Sequence, residues 1–162
     1  MSVSKKGKNA FFDKKGQDGL SPLAWSFVNR ILANANDICL ILNSSVNSYR
    51  RLDPHFEAPN QIKVSPSDRG SMIRIPIGNE KSARTEVRSI APDANPYLAI
   101  YALFRTGLEG PLGEEEADGK RARTRFLPDN IYDAIRLFKS SKFAQELLGA
   151  EVHEKFAELK LA

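Results

Sequence analysis

The sequence predicts an α+β fold in which a few antiparallel strands pack with several helices. Three observations predict it. Segments 72–77 and 84–89 alternate in character at every second position, as strands do. Longer segments on either side repeat apolar residues at helical spacing. No internal repeat divides the 162 residues, which suit one domain with room for a core.

Residues 1–20 are polar and glycine-containing, with Ala10-Phe11-Phe12 as their one apolar point, and read as loop or hairpin. Ser21-Pro22 opens a helix, a serine cap before proline at the first helical position. Phe27, Ile31, Leu32 and Ala35 continue it, and a second apolar run from Ile38 to Leu42 ends at Asn43. Residues 43–59 hold Asn43, Asn47, Pro54 and Pro59 and read as a turn-rich stretch, of a length usually kept for function or motion. In 72–77 the isoleucines take one face and Arg74 the other, and Pro76 marks an edge strand or its end. Residues 78–82 make a hairpin connection to the returning strand. Asn95-Pro96 caps the next helix, with Leu98, Tyr101, Ala102 and Leu108 on its apolar surface and Gly107 or Gly110 near its end. Residues 111–125 form a charged loop. Asp129 then caps a helix carrying Ile131, Ala134, Ile135 and Phe138; Ser141 starts another that stops at Gly149; Val152, Phe156 and Leu159 mark a last amphipathic segment.

Composition narrows the function classes. Apolar residues make up 41% and charged residues 27%, as in soluble globular proteins. No apolar stretch approaches the roughly 18 residues of a membrane span, and the lysine-rich N-terminus lacks the apolar core of a secretion signal. Cys39 is the single cysteine and cannot form an internal disulfide, which places the chain in a reducing, cytoplasmic setting; between Ile38 and Leu40 it reads as a small buried hydrophobe. Net charge is +4. Lys120, Arg121, Arg123 and Arg125 follow Glu114, Glu115 and Glu116, so that cluster is a solvated loop of mixed charge, and no aromatic residues interleave to stack nucleic-acid bases.

The constellation that calls for chemistry lies between Arg51 and Arg88. Arg84, Glu86 and Arg88 alternate with Thr85, Val87 and Ser89, and pairing of the two strands adds Arg74 to the same polar face. Like charges on one strand face repel, while surface ion pairs rarely return more than ~1 kcal/mol. A solvated outer face is the plain explanation. The alternative is a site for a polyanion beside a metal ion: arginine forks match phosphate and carboxylate, and a lone glutamate holds Mg²⁺ through one oxygen. Arg50 reads as a surface charge, His55 and His153 as exposed, and Trp25 as core.

Several ordered motifs resemble the C-terminal third of the glutamine synthetase family, from about Gly7 to Lys160. "GKNAFFDKKGQDGLS" resembles the segment after the family's ATP-site histidine motif, and "NSYRRLDPHFEAP" its asparagine and flap region. "DRGSMIRIP" resembles its phosphate-contacting loop and strand, and "RTEVRSIAPDANPYLA" its metal and glutamate strand with the following helix. "TGLEG" and "LGAEVHEKFAELK" agree with later parts. The resemblance implies two-step, ATP-dependent joining of glutamate and ammonia with Mg²⁺ or Mn²⁺. It implies Arg51 and Arg88 as holders of glutamate, Glu57 as a flap carboxylate that deprotonates ammonium, and Arg69 as stabiliser of the transferring phosphoryl group. Arg74, Lys81 and Arg84 would contact ATP, and Glu86 would bind the metal.

Departures accompany the match. Asn43-Ser44-Ser45 stands where the family usually shows Asn-Pro-Thr, and Ser67-Asp68-Arg69-Gly70 where it shows Arg-Asn-Arg-Ser. Tyr132 is similar to the tyrosine that some bacterial members adenylylate, but it falls inside helical periodicity and reads as a helix residue. The resemblance makes residues 1–162 a C-terminal catalytic domain, with 111–162 a charged loop and helical tail and with the family's N-terminal β-grasp domain and further metal carboxylates lying upstream. The parent would be a large homo-oligomer, and the isolated chain is expected to lack synthetase activity. Rival readings are a γ-glutamyl ligase acting on another amine, a basic nucleic-acid-binding domain, and a non-catalytic assembly module. Assembly alone needs none of the site arginines, Glu57 or Glu86.

Overall fold

The computed structural model describes residues 1–56, 58–112 and 124–161. Its first element is a small antiparallel hairpin, β1 (Ser4–Lys5) with β2 (Lys8–Asn9). Helix α1 (Pro22–Ala33) follows, with the Ser21 hydroxyl accepting from the Ala24 amide. A break at Asn34 leads into α2 (Ala35–Leu42), whose residues from Ile38 to Leu42 are all at most 1% exposed. A helix apolar all round belongs at the centre, and α2 lies there, packed by α4 (Pro96–Glu109), α5 (Ile131–Ser140) and α6 (Lys142–Leu148). Gly107 lets α4 close on α1: a Cβ there would stand 2.2 Å from the Phe27 ring. Gly149, at φ 80°, ends α6 in a backbone conformation that suits glycine, and α7 (Ala150–Leu161) turns back over α5.

The strands differ in part from the expectation. Met72–Ile77 and the return strand do pair antiparallel, with Arg74 opposite Glu86 and Ile73 opposite Val87. The ladder is shorter than expected: β4 spans Ser71–Arg74 and β5 Glu86–Val87. Pro76 has no N–H to give, so Ile77 leaves the sheet and is 97% exposed instead of sharing the face of Ile73 and Ile75. A third strand, β3 (Gln61–Ser65), lies parallel to β4, making the sheet mixed. Its link, residues 66–70, is far shorter than the roughly dozen residues of an ordinary parallel crossover. On its other side β3 takes the 125–127 segment, through the Ile62 amide to the Arg125 carbonyl and the Leu127 amide to the Asn60 carbonyl.

Other readings change in detail. Residues 46–51 form a helix, α3 (Val46–Arg51), inside the stretch read as turns. Asn130, one residue after Asp129, caps α5 by accepting from the Asp133 amide. Gly107 is internal to α4, and Gly110 caps it. On α4 the buried face is Ala99, Ala102, Leu103, Thr106 and Gly107, leaving Tyr101 and Leu108 partly exposed. Val152 and Leu159 likewise face outward on α7. His153 is buried, not exposed: its Nε2 bonds the Phe138 carbonyl and its ring stacks on Phe138 at 4.4 Å. Trp25 is only half-buried, donating its indole N–H to the Gln17 carbonyl, and Tyr132 stands exposed on α5. Cys39 is buried as read. The acidic and basic runs at 114–116 and 120–123, most of the charged loop, and Glu57 lie outside the described residues.

Candidate functional site

Register places the first cluster. Because Arg74 pairs opposite Glu86, the carboxylate lies between two guanidiniums, 2.6 Å from Arg74 Nη2 and 2.8 Å from Arg84 Nη2. Arg84 donates both Nε and Nη2 to Oε1, while Arg74 donates Nε to Oε2 and keeps its Nη2 in ion-pair contact with the same oxygen. Burial pushes the Glu86 carboxyl up, yet the hydrogen bonds and charges of Arg74 and Arg84 together outweigh it and hold it below the usual carboxylate range. The backbone beside this cluster is tied at both ends. Met1 exchanges bonds with Thr85 in both directions, and Arg84 Nη1 reaches the Ser82 carbonyl.

A second cluster lies along the same polypeptide. The Arg88 amide continues the β4 ladder by donating to the Met72 carbonyl, and its Nη1 donates to the Arg69 carbonyl at 2.6 Å. Arg69 sits exposed in the 66–70 link, whose shape comes from side chains closing on nearby amides. Ser65 Oγ accepts from the Ser67 and Asp68 amides, and Asp68 Oδ1 from the Gly70 amide. Arg51 ends α3 and donates Nη2 to the Ile90 carbonyl at 3.0 Å. Burial, and then the nearby Arg88 charge, disfavour its charged form, with Asp93 opposing them. Its Nε is buried with no hydrogen-bond partner among the described residues. The Arg51 guanidinium thus carries one buried, unpartnered N–H, and it lies close enough to Arg88 for the two charges to oppose each other.

The structure thus brings Arg74, Arg84 and Glu86 into direct contact and places Arg51 and Arg69 beside Arg88. Lys81 is exposed in the 79–82 turn, which meets the first cluster where Arg84 Nη1 donates to the Ser82 carbonyl. The sequence reading missed the support beneath Arg51. Ser45 and Ser48 make a reciprocal cap at the start of α3, and Ser48 Oγ donates to Asp93 Oδ1 at 3.2 Å. The Ser45 hydroxyl, then that of Ser48, holds the Asp93 carboxyl below its usual range. The signal was present as Ser45-Val46-Asn47-Ser48, a cap spacing in a stretch dominated by turn residues.

A divalent ion is poorly served by the described residues alone. Both Glu86 oxygens are held by arginines, and no three His, Cys, Asp or Glu side chains converge among the described residues. Nor is any described helix long and apolar enough to cross a membrane.

Comparison with known proteins identifies the family. The sequence model of the family described as glutamine synthetase, catalytic domain, matches residues 1–162. Relatives named glutamine synthetase include that of Clostridium saccharobutylicum, 35% identical over all of this chain and 40% of its own length. Those of Methanococcus voltae and Staphylococcus aureus are 34% and 33% identical over 99% of this chain and 39% of theirs. The chain therefore spans about two fifths of the length of these curated relatives. With that family model matched over residues 1–162, the chain belongs to the glutamine synthetase catalytic-domain family.

Proposed function

We propose that this chain carries substrate-holding machinery of an ATP-dependent glutamate–ammonia ligase. The observation that supports the reading is the pair Arg51 and Arg88: two partly exposed arginines whose charges oppose each other, Arg51 at the end of α3 and Arg88 just past β5. Arg51 and Arg88 take the carboxylates of glutamate. Arg74, Lys81 and Arg84 take the phosphates of ATP, and Arg69 steadies the phosphoryl group in flight. The glutamate γ-carboxylate oxygen attacks the γ-phosphorus, ADP leaves, ammonia attacks the acyl carbon, and phosphate departs. Such chemistry depends on positioning and charge neutralisation, which arginine clusters supply. Glu57 is assigned to ammonium deprotonation on its motif alone.

A divalent ion supplies further neutralisation of phosphate charge when bound. Glu86 would be one of its ligands, after release from an arginine, and the others must come from outside the described residues. The test is glutamate titration into the chain, followed through the arginine Hε resonances. Glutamate should shift the Arg51 signal, and Arg51→Ala and Arg88→Ala should each weaken binding on the order of tenfold. Unaltered affinity in both variants would sink the assignment.

A further inference from the structure

We propose that Asn9 is a positioning residue that presets the Lys81 loop for a polyphosphate, an inference that rests on the reading of Lys81 and Arg84 as ATP contacts. Asn9 ends β2, more than seventy residues from the loop in sequence. Its Nδ2 donates to the Ala83 carbonyl at 2.8 Å and to the Glu80 carbonyl at 3.1 Å, one on each side of Lys81. Its Oδ1 accepts from the Phe11 amide at 3.0 Å, and Phe11 is fully buried in the core. All three bonds agree with one amide orientation, so the side chain is fixed from below while it grips the loop.

The loop is also closed on itself. Asn79 Oδ1 accepts from the Lys81 and Ser82 amides, and the Asn79 amide donates to Ser82 Oγ. That turn alone would leave the loop free to swing as a body relative to the arginine cluster. Asn9 removes this freedom, and the Met1–Thr85 pairing fixes the chain just beyond it. Lys81 is thereby carried on an ordered turn tied to Arg84 through the Ser82 carbonyl, and the ordering cost that phosphate binding would otherwise meet is settled in advance.

The experiment uses the whole 162-residue chain with ATP as probe. Asn9→Asp keeps the shape and the acceptor to Phe11 but loses both donors; Asn9→Ala and Lys81→Ala accompany it. Amide exchange at Lys81, Ser82 and Ala83 should quicken roughly tenfold in Asn9→Asp, with α1 and α2 amides unchanged. The Kd for ATP should weaken about three- to tenfold, and Asn9→Asp should add nothing in a Lys81→Ala background. Unchanged loop exchange, a uniform rise throughout the chain, or full additivity with Lys81→Ala overturns the proposal. No ATP binding by the unaltered chain, with loop exchange responding as expected, overturns the nucleotide reading and the ligand assigned to the loop, a failure distinct from the others.

Discussion

Glu86 owes its charge state to neighbours that would repel one another without it. Arg74 and Arg84 both reach its carboxylate, and they hold its pKa below the ordinary value against the opposing effect of burial. A carboxyl with a depressed folded pKa contributes stability above its unfolded value of ~4.3 and loses that contribution as pH falls through the folded value. The contribution should therefore be complete at neutral pH and vanish in acid. With the Glu86 side chain a quarter exposed and the arginines more so, it should be no more than about 1 kcal/mol. Glu86→Gln should lower the denaturation midpoint at neutral pH and match the unaltered chain well below pH ~4. A stability gap that persists unchanged into acid would show that packing, not charge, sets the effect. At this scale the sequence was informative: alternation in the return strand put Arg84 and Glu86 on a common face that pairing extends to Arg74, because strand geometry leaves side chains few choices. It was silent on Asn9 and Asp93, whose partners lie far away in sequence and follow from no local pattern.

Among elements, α3 shows why the turn-rich reading of 43–59 failed. Six residues with little apolar periodicity make a poor helix alone, and what sustains this one is its cap. Ser45 Oγ accepts from the Ser48 amide and Ser48 Oγ from the Ser45 amide, while Asp93 holds Ser48 from outside. The Asn43-Ser44-Ser45 departure from the usual family triplet thus keeps a hydroxyl at the capping position. Arg51 lies at the far end of the same short helix, so the cap also sets where the guanidinium stands. Ser45→Ala should cost about 1 kcal/mol of stability and weaken glutamate binding, whereas Ser45→Thr should restore both. Loss of stability with glutamate affinity unchanged would separate the cap from the site. The β3 strand was legible in principle: Ile62 and Val64 alternate with Gln61, Lys63 and Ser65, but Pro59 and Pro66 on either side disguised them as loop. Its parallel pairing was not legible, since so short a crossover depends on the Ser65 and Asp68 turn bonds.

Over the whole molecule, one apolar cluster runs from Phe11 through α1, α2 and α4 to Phe138, Leu147 and Ala157. The helices were legible because they bury their stripes in this shared core; their outward residues, such as Leu159, misled because an apolar residue outside needs no reason. A continuous core also means that the arginine clusters have no independent foundation. Arg74 and Glu86 stand on β4 and β5, Arg51 on α3 and Arg69 on the link before β4, and this part of the chain rests on the same interior as the C-terminal helices through Tyr49, Met72, Ile73 and Ile75. Unfolding should then be a single cooperative event. Trp25, the one tryptophan, reports on α1 at one end, and amide protection in α7 reports on the other. Their denaturant midpoints should coincide. Leu42→Ala, at a site 1% exposed in central α2, should shift both together by about 2–5 kcal/mol, while Leu159→Ala on the outside of α7 should stay within about 0.5 kcal/mol. If Leu42→Ala moved the Trp25 transition and left α7 protected, the core would be two cores, and the arginine clusters would stand or fall with only the first.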